Sequence, residues 1–296
     1  MSITAAEREF MERYRKRKRT LSQVFSVLCM AAMITCVLIL VFLLVSVFVR
    51  GYHYLDWQFI TSLPSADANK AGMWVYLIGS IWLIGLTTLF SVPLGVGAAL
   101  YLEEYAADSF WKRAVQVNIA NLAGVPSIVY GLLGLGVFAW ALHLGDSILA
   151  GALTLTLVVL PIVILATQES LRAVPGSIRQ ASYALGATRW QTTWRQVLPA
   201  ATPGIMTGVI LAISRALGEA APLVAMGAVQ YVSWAPDSIW STFTALPLAI
   251  YDWAGRPEAE FHALSAAAIV VLLAVLISLN MVATLVRYRF GKNIRW

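Results

Sequence analysis

Hydrophobic and polar positions in this chain are segregated on the length scale of a bilayer. Six intervals are free, or nearly free, of charge: Val24–Val49 (26 residues), Ala71–Leu102 (32), Ala114–Gly145 (32), Ser147–Gln168 (22), Pro203–Met226 and Phe261–Val286 (26). The fifth contains only Arg215 and Glu219. A helix crossing a hydrocarbon core of about 30 Å needs ~20 apolar residues, and only helices or closed barrels satisfy their backbone there. Barrel strands would alternate apolar and polar residues over ~10 positions, which these runs do not. The pattern predicts an all-α, polytopic membrane protein with six transmembrane helices.

Composition agrees and adds orientation. Of 296 residues, 59% are hydrophobic and 12% charged, against about 45–50% and about 25% in soluble proteins. That excludes an ordinary soluble protein, a disordered chain and a free-standing nucleic-acid binder. The net charge of +6 is uneven along the chain. Seven basic residues precede the first span. Lys112 and Arg113 follow the second, and Arg172, Arg179, Arg189 and Arg195 follow the fourth. Arg287, Arg289, Lys292 and Arg295 follow the last. These seventeen share one side, whereas the opposite loops hold only Arg50, Lys70 and Arg256. The asymmetry predicts cytoplasmic N- and C-termini. The run Arg13–Arg19 fits a topology signal resting on anionic membrane lipid. The first span exceeds the ~7–15 apolar residues of a cleavable signal and reads as an uncleaved anchor. The expected organisation is a basic segment, 1–23, an anchor helix, 24–49, and a core of five helices, 71–290.

Candidate chemistry is sparse. Cys29 and Cys36 share one apolar helix, which indicates neither a disulfide nor a metal site. His53, His143 and His262 lie in separate segments. No GxxxxGK[ST] loop occurs, so ATP is not bound in that way by this chain. Four spans carry prolines (Pro93, Pro126, Pro161 and Pro222), each removing a backbone donor and inviting a kink. Glycines at 95, 97, 124, 131, 134 and 136 suit either close helix packing or a flexible pathway lining. Counting the fifth helix from Pro203 puts Arg215 about 18 Å along, at 1.5 Å per residue. A charge there costs about 2.5–3.5 kcal/mol on insertion scales. Glu219, four residues on, can pair with it on one helix face. The pair is either self-neutralising structure or an anion site in a pathway, where arginine's planar fork matches oxyanions.

The loop 171–199 holds four arginines and no acid. Pro175-Gly176 opens a turn, and residues 177–185 have helical composition. Gly186 suits a left-handed closing position, and Thr188 with Gln191 fits a capping box opening a second short helix. Trp190 and Trp194 would share a face of it, with Pro199 ending it. Two readings stand: an interfacial helix pair lying on lipid, or a short helix offered to a cytoplasmic partner. The external loop 230–260 carries Tyr231, Trp234, Trp240, Phe243, Tyr251 and Trp253, which suits an interfacial belt or contact with an external protein.

Aligned on Gly186, residues Gln180-Ala181-Ser182, Leu198 and Pro199 resemble the EAA loop of permease subunits of bacterial binding-protein-dependent ABC importers. Gln180 and Ser182 replace the usual Glu and Ala, and Gln196 replaces an aliphatic residue. The segments Asn121–Gly131, Ser214–Leu223 and Phe243–Tyr251 resemble phosphate importer permeases of the Pst type, in particular the shorter of its two permeases. The resemblance implies a type I (MetI-like) permease fold in a bacterial inner membrane. It implies a non-enzymatic subunit forming half of a phosphate pathway, with Arg215, Glu219, Pro126 and Ser127 in pathway or gating roles. It also implies ATPase coupling through Gln180, Ala181, Ser182, Gly186, Trp190, Trp194, Leu198 and Pro199. The implied partners are a PstC-like second permease, a PstB-like ATPase dimer and a PstS-like external phosphate-binding protein. ATP and Mg would be held by the ATPase, with no cofactor in this chain and no nucleic-acid partner. A permease for molybdate or sulfate is an alternative, since these are also tetrahedral anions. A membrane-embedded enzyme would need more converging polar groups than one Arg–Glu pair. A scaffold would leave the turn-rich loop and the intramembrane arginine unexplained.

Overall fold

The computed structural model describes residues 5–228 and 231–291, and all regular structure among them is helical. Met1–Thr4 of the basic segment, Gln230 of the external loop, and Lys292 and Arg295 lie outside the described residues, as do the side chains of Arg8, Arg13, Lys16 and Arg17. The chain divides into two units, residues 1–50 and 51–296. The first is the helix α1 (Ala5–Gly51), whose apolar side chains are exposed from Val24 to Val41. A helix that is apolar all round suits lipid on every side.

The second unit is built around α6 (Ile148–Arg172), buried along most of its length and capped by Ser147, whose Oγ accepts from the Ala150 N–H at 3.3 Å. The long helix α3 (Trp74–Leu100) packs along it and widens at its cytoplasmic end into a π-helical turn, Tyr101–Tyr105. A short helix α2 (Trp57–Thr61), capped by Asp56, precedes α3 on the outer side. There the rings of Phe59 and Tyr76 lie 6.0 and 5.6 Å from Trp253, within a cluster that includes Met73, Phe261 and Leu264.

The third predicted span is not one helix. It is α4 (Phe110–Ala123) and α5 (Ser127–Gly134), the latter continued by a π-helical stretch to Ala141, with a bend of 102° between them. The cause is Pro126, which disfavours helical backbone at Val125 and itself adopts φ −55°, ψ 133°. The Tyr130 hydroxyl crosses the bend to donate to the Leu122 carbonyl at 2.7 Å, one of those freed by the break. Among the described residues, five further helical paths are long and apolar enough to cross a bilayer.

The cytoplasmic loop folds as α7 (Gly176–Ala184) and α8 (Arg189–Thr192). Contrary to the sequence expectation, Pro199 does not end the second helix. The path runs from Arg189 to Gly218 through a π-helical turn, Thr193–Val197, into α9 (Leu198–Gly218). Pro199 sits in the first turn of α9, where a proline sacrifices no needed donor. The wider turn before it eases the clash between its ring and the carbonyl four residues back. Beyond α9 come α10 (Ala221–Ala225), a turn at Gly227 with φ +87°, the outer helix α11 (Leu246–Gly255), and the last span α12 (Ala259–Gly291). Pro93 and Pro161 lie inside helices, but Pro126 and Pro222 mark the starts of short ones. Fixed φ and a missing N–H suit both starts.

Candidate functional site

The fifth span breaks at the intramembrane charges. α9 ends at Gly218, Glu219 is extended (φ −84°, ψ 110°), and α10 begins two residues later. The Arg215 Nε donates to Glu219 Oε1 at 3.1 Å, so the expected pair forms. It straddles the helix end rather than lying along one helix face. Pro203 lies inside α9, which starts at Leu198; Arg215 is therefore 17 residues along, about 26 Å at 1.5 Å per residue. A guanidinium has five donors. Among the described residues, the two terminal nitrogens of Arg215 have no protein partner, and its side chain is 46% exposed. Its place in the last turn is favourable for a cation, because helix carbonyls concentrate negative potential there. Glu219 is more enclosed, at 18% exposure, and faces a small void beside Ser80, Leu83 and Ile84 of α3. Such an interrupted helix near charge is the form that substrate sites take in many transporters.

The surroundings of this break are close-packed. α5 lies against α10 at Gly131, where any Cβ would meet the Pro222 backbone carbonyl. Gly97 and Gly136 face open space. Ser214 donates to Asn280 Oδ1 at 2.6 Å, and Arg287 donates to Thr207 Oγ1 at 2.8 Å, tying α9 to α12. Sequence reasoning missed Asn280, although an amide inside an apolar run is a visible signal. Pro126 and Ser127 open α5 and make no hydrogen bond or ion pair with Arg215 or Glu219 among the described residues.

The cytoplasmic hairpin is determined locally. Gly186 has φ +81°, which its lack of Cβ permits without strain. Its N–H donates to the Tyr183 carbonyl at 2.9 Å, and the Ala187 N–H to Ser182 at 3.2 Å, a Schellman closure of α7. The Thr188–Gln191 capping box is complete. Ser182 Oγ and Thr192 Oγ1 share a hydrogen bond of 2.8 Å that fastens α7 to α8, so the residue replacing the second alanine of the EAA pattern has a definite partner. Gln180 and Ala181 are exposed, Leu185 is 90% exposed, and the exposed rings of Trp190 and Trp194 stand 5.3 Å apart. A groove of about 510 Å³ lined by Ile178, Ala181, Ser182, Leu185 and Gln191 runs between the helices. An apolar exposed surface framed by polar groups is the signature of an interaction site. Leu198 instead packs with Leu171 and Val197, and Pro199 belongs to α9.

Three of the loop's four arginines find distant partners, and Arg172 also pairs locally with Glu169 at 2.9 Å. Glu103 pairs with Arg172, Glu104 with Arg179, and the Tyr105 ring lies under Arg189. In the same cytoplasmic region, Lys112 hydrogen-bonds Asp108 and holds its exposed carboxyl below the usual range. The aromatics of the external loop separate into two groups: Phe243 and Trp253 are buried in the core, whereas Tyr231, Trp234, Trp240 and Tyr251 are exposed.

Comparison with known proteins is consistent with this architecture. The family described as binding-protein-dependent transport system inner membrane component matches residues 91–296. The phosphate transport system permease protein PstA 1 of Mycobacterium tuberculosis is 34% identical over 92% of this chain and 90% of its own length. The PstA of Yersinia pestis is 32% identical over 93% and 94%. The probable ABC transporter permease protein YqgI of Bacillus subtilis is 34% identical over 80% and 87%. Among solved structures, a chain of a bacterial alginate ABC transporter superposes with a TM-score of 0.67 at 14% identity, covering 93% of this chain and 98% of that one. A chain of the MetNI methionine transporter gives 0.59 at 17% identity, covering 74% and 97%. The chain belongs to the inner-membrane component family of binding-protein-dependent transport systems, as a PstA-type permease: a multi-pass, non-enzymatic subunit of a bacterial ABC importer that works with a substrate-binding protein and a partner ATPase.

Proposed function

We propose that this chain forms one half of the pathway of an ATP-driven phosphate importer, with a PstC-like permease as the other half. A PstS-like protein delivers phosphate from outside, and a PstB-like dimer, holding ATP and Mg, docks on α7 and α8. The observation that carries the substrate assignment is the half-engaged guanidinium of Arg215 at the end of α9. Its free fork matches two oxygens of a tetrahedral anion. Glu219 orients the arginine and keeps the site weak enough to release its cargo, as a pathway site must. Glu219 also favours phosphate over sulfate. Both phosphate species present near neutral pH, the monoanion and the dianion, carry a P–OH that can donate to a carboxylate, whereas sulfate has no such donor. Pro126 and Ser127 act at the α4–α5 bend, beside the seat of α10, as gating rather than binding residues. Gln180, Ala181, Ser182, Gly186, Trp190 and Trp194 form the ATPase dock, with Leu198 and Pro199 anchoring it to α9.

The test is uptake of labelled phosphate by the reconstituted complex in the presence of excess sulfate or molybdate. Phosphate uptake should persist undiminished. Displacement of phosphate by either competitor, or faster uptake of labelled sulfate, would overturn the assignment.

A further inference from the structure

Three consecutive residues at the cytoplasmic end of α3 hold one arginine from each of three successive elements. Glu103 Oε1 accepts from Arg172 Nη2 in the last turn of α6 at 2.6 Å. Glu104 Oε1 accepts from Arg179 Nη2 of α7 at 2.7 Å. The Tyr105 ring lies 5.6 Å from the guanidinium carbon of Arg189, the first residue of α8. In an α-helix three successive residues point in directions about 100° apart. Here they lie in the π-helical turn Tyr101–Tyr105, a local widening of the kind that recurs at functional positions.

The middle link is the most enclosed. The side chain of Glu104 is 7% exposed and that of Arg179 is 22% exposed. Arg179 also donates to the carbonyls of Leu171 at 3.0 Å and Val174 at 2.8 Å, so one guanidinium joins the end of α6, the α6–α7 turn, α7 and α3. The hairpin thus has two faces of different character. Away from α3 it leaves Ala181, Leu185 and the Trp190–Trp194 pair exposed, and its inner face is bound by charge to a single turn at the end of α3. α3 in turn runs along α6 to Ser80, Leu83 and Ile84, beside Glu219.

We propose that Glu104 and Arg179 are the positioning pair through which displacement of the α7–α8 hairpin is carried into α3 and so to the Arg215–Glu219 break, with Glu103–Arg172 and Tyr105–Arg189 as flanking links. The inference rests on the reading of α7–α8 as the ATPase dock. A charge-assisted, part-buried bond is directional and short. A rigid element with two discrete positions, biased at both ends, is what energetic coupling between distant sites requires. Losing the link should leave the dock's outer face intact and separate hydrolysis from transport.

The experiment is reconstitution of the complete complex with Glu104→Gln, which keeps the side-chain shape and removes its charge. Three quantities are measured: ATPase subunit retained on purification, ATP hydrolysis stimulated by the binding protein, and phosphate moved per ATP. The expected result is wild-type ATPase retention, weakened stimulation, and a drop of about tenfold in phosphate per ATP, within the 5–150-fold span of typical coupling free energies. Glu104→Asp should recover part of it. An unchanged ratio would overturn the proposal. So would loss of the ATPase from the complex, which would make the pair a support of the docking surface alone. If Glu104→Gln does not accumulate, Arg179→Lys keeps the charge but not the three-way reach; it should lower the ratio in the same direction, and a wild-type ratio there overturns the link. A wild-type complex whose stimulated ATPase moves no phosphate would count against the substrate assignment, and the link is then decided by the stimulation itself.

Discussion

At the cytoplasmic hairpin, Arg179 commits three donors, to one carboxylate and two backbone carbonyls. At the end of α9, Arg215 donates one hydrogen bond from Nε and leaves its fork open. Arg179 sits within α7 and Arg215 in the last turn of α9, and both pair with a glutamate at 2.7–3.1 Å. They differ in where the glutamate comes from. Glu104 belongs to another element 75 residues away, so its pair joins two parts of the fold. Glu219 is four residues along the same strand of chain, so its pair joins nothing distant and is able to open. An arginine held by three bonds to three separate groups is a structural link, whereas one held by a single bond retains capacity for a ligand.

Substitutions around these two sites test the difference, and the largest effect is expected at the α9–α10 break. Gly131→Leu drives a side chain into the Pro222 backbone, where neither partner is a flexible chain end. Overpacking of this kind costs about 3 kcal/mol. The variant should lower the thermal midpoint of the purified complex and abolish uptake; a wild-type midpoint would show that α10 is free to shift. At the hairpin, Gly186→Val places a β-branched residue at φ +81°. Left-handed backbone costs an ordinary residue about 1–2 kcal/mol, and the ATPase should co-purify in reduced amount. Full retention of the ATPase would remove the turn from the docking account. A smaller effect is expected from Ser182→Ala, which deletes the Ser182–Thr192 bond and leaves the buried Thr192 hydroxyl without that partner. A loss of about 1 kcal/mol should appear as a modest fall in ATPase retention at raised temperature, with phosphate per ATP unchanged. A change in that ratio would mean that the α7–α8 contact, and not only the α3 link, transmits motion.

The same contrast explains what was legible in the sequence. Features written in near neighbours could be read directly: the charge-free runs, the Gly186 turn, the Thr188–Gln191 box, and the four-residue spacing of Arg215 and Glu219. Features created by chain folding could not. Nothing local connects Glu103 and Glu104 with Arg172 and Arg179, and the loop appears purely cationic until α3 is laid beside it. The break after Gly218 was hidden because composition continues apolar through Pro222 to Met226, so hydropathy does not register the change of direction. The 102° bend at Pro126 was partly visible as a proline, but its angle depends on α5 finding its seat on α10. Pro199 misled for a physical reason: a π-helical turn absorbs a proline that an α-helix would not.

The central claim is that Arg215 serves the cargo while the hairpin arginines serve the machine. Its most direct test is labelled phosphate uptake by proteoliposomes holding the Arg215→Gln complex, normalised to co-purified ATPase. Hydrogen bonds to charged groups contribute about 1.5–3 kcal/mol, so uptake should fall roughly 10- to 100-fold while the complex inserts and assembles as the wild type does. Wild-type uptake by an assembled Arg215→Gln complex would contradict the account.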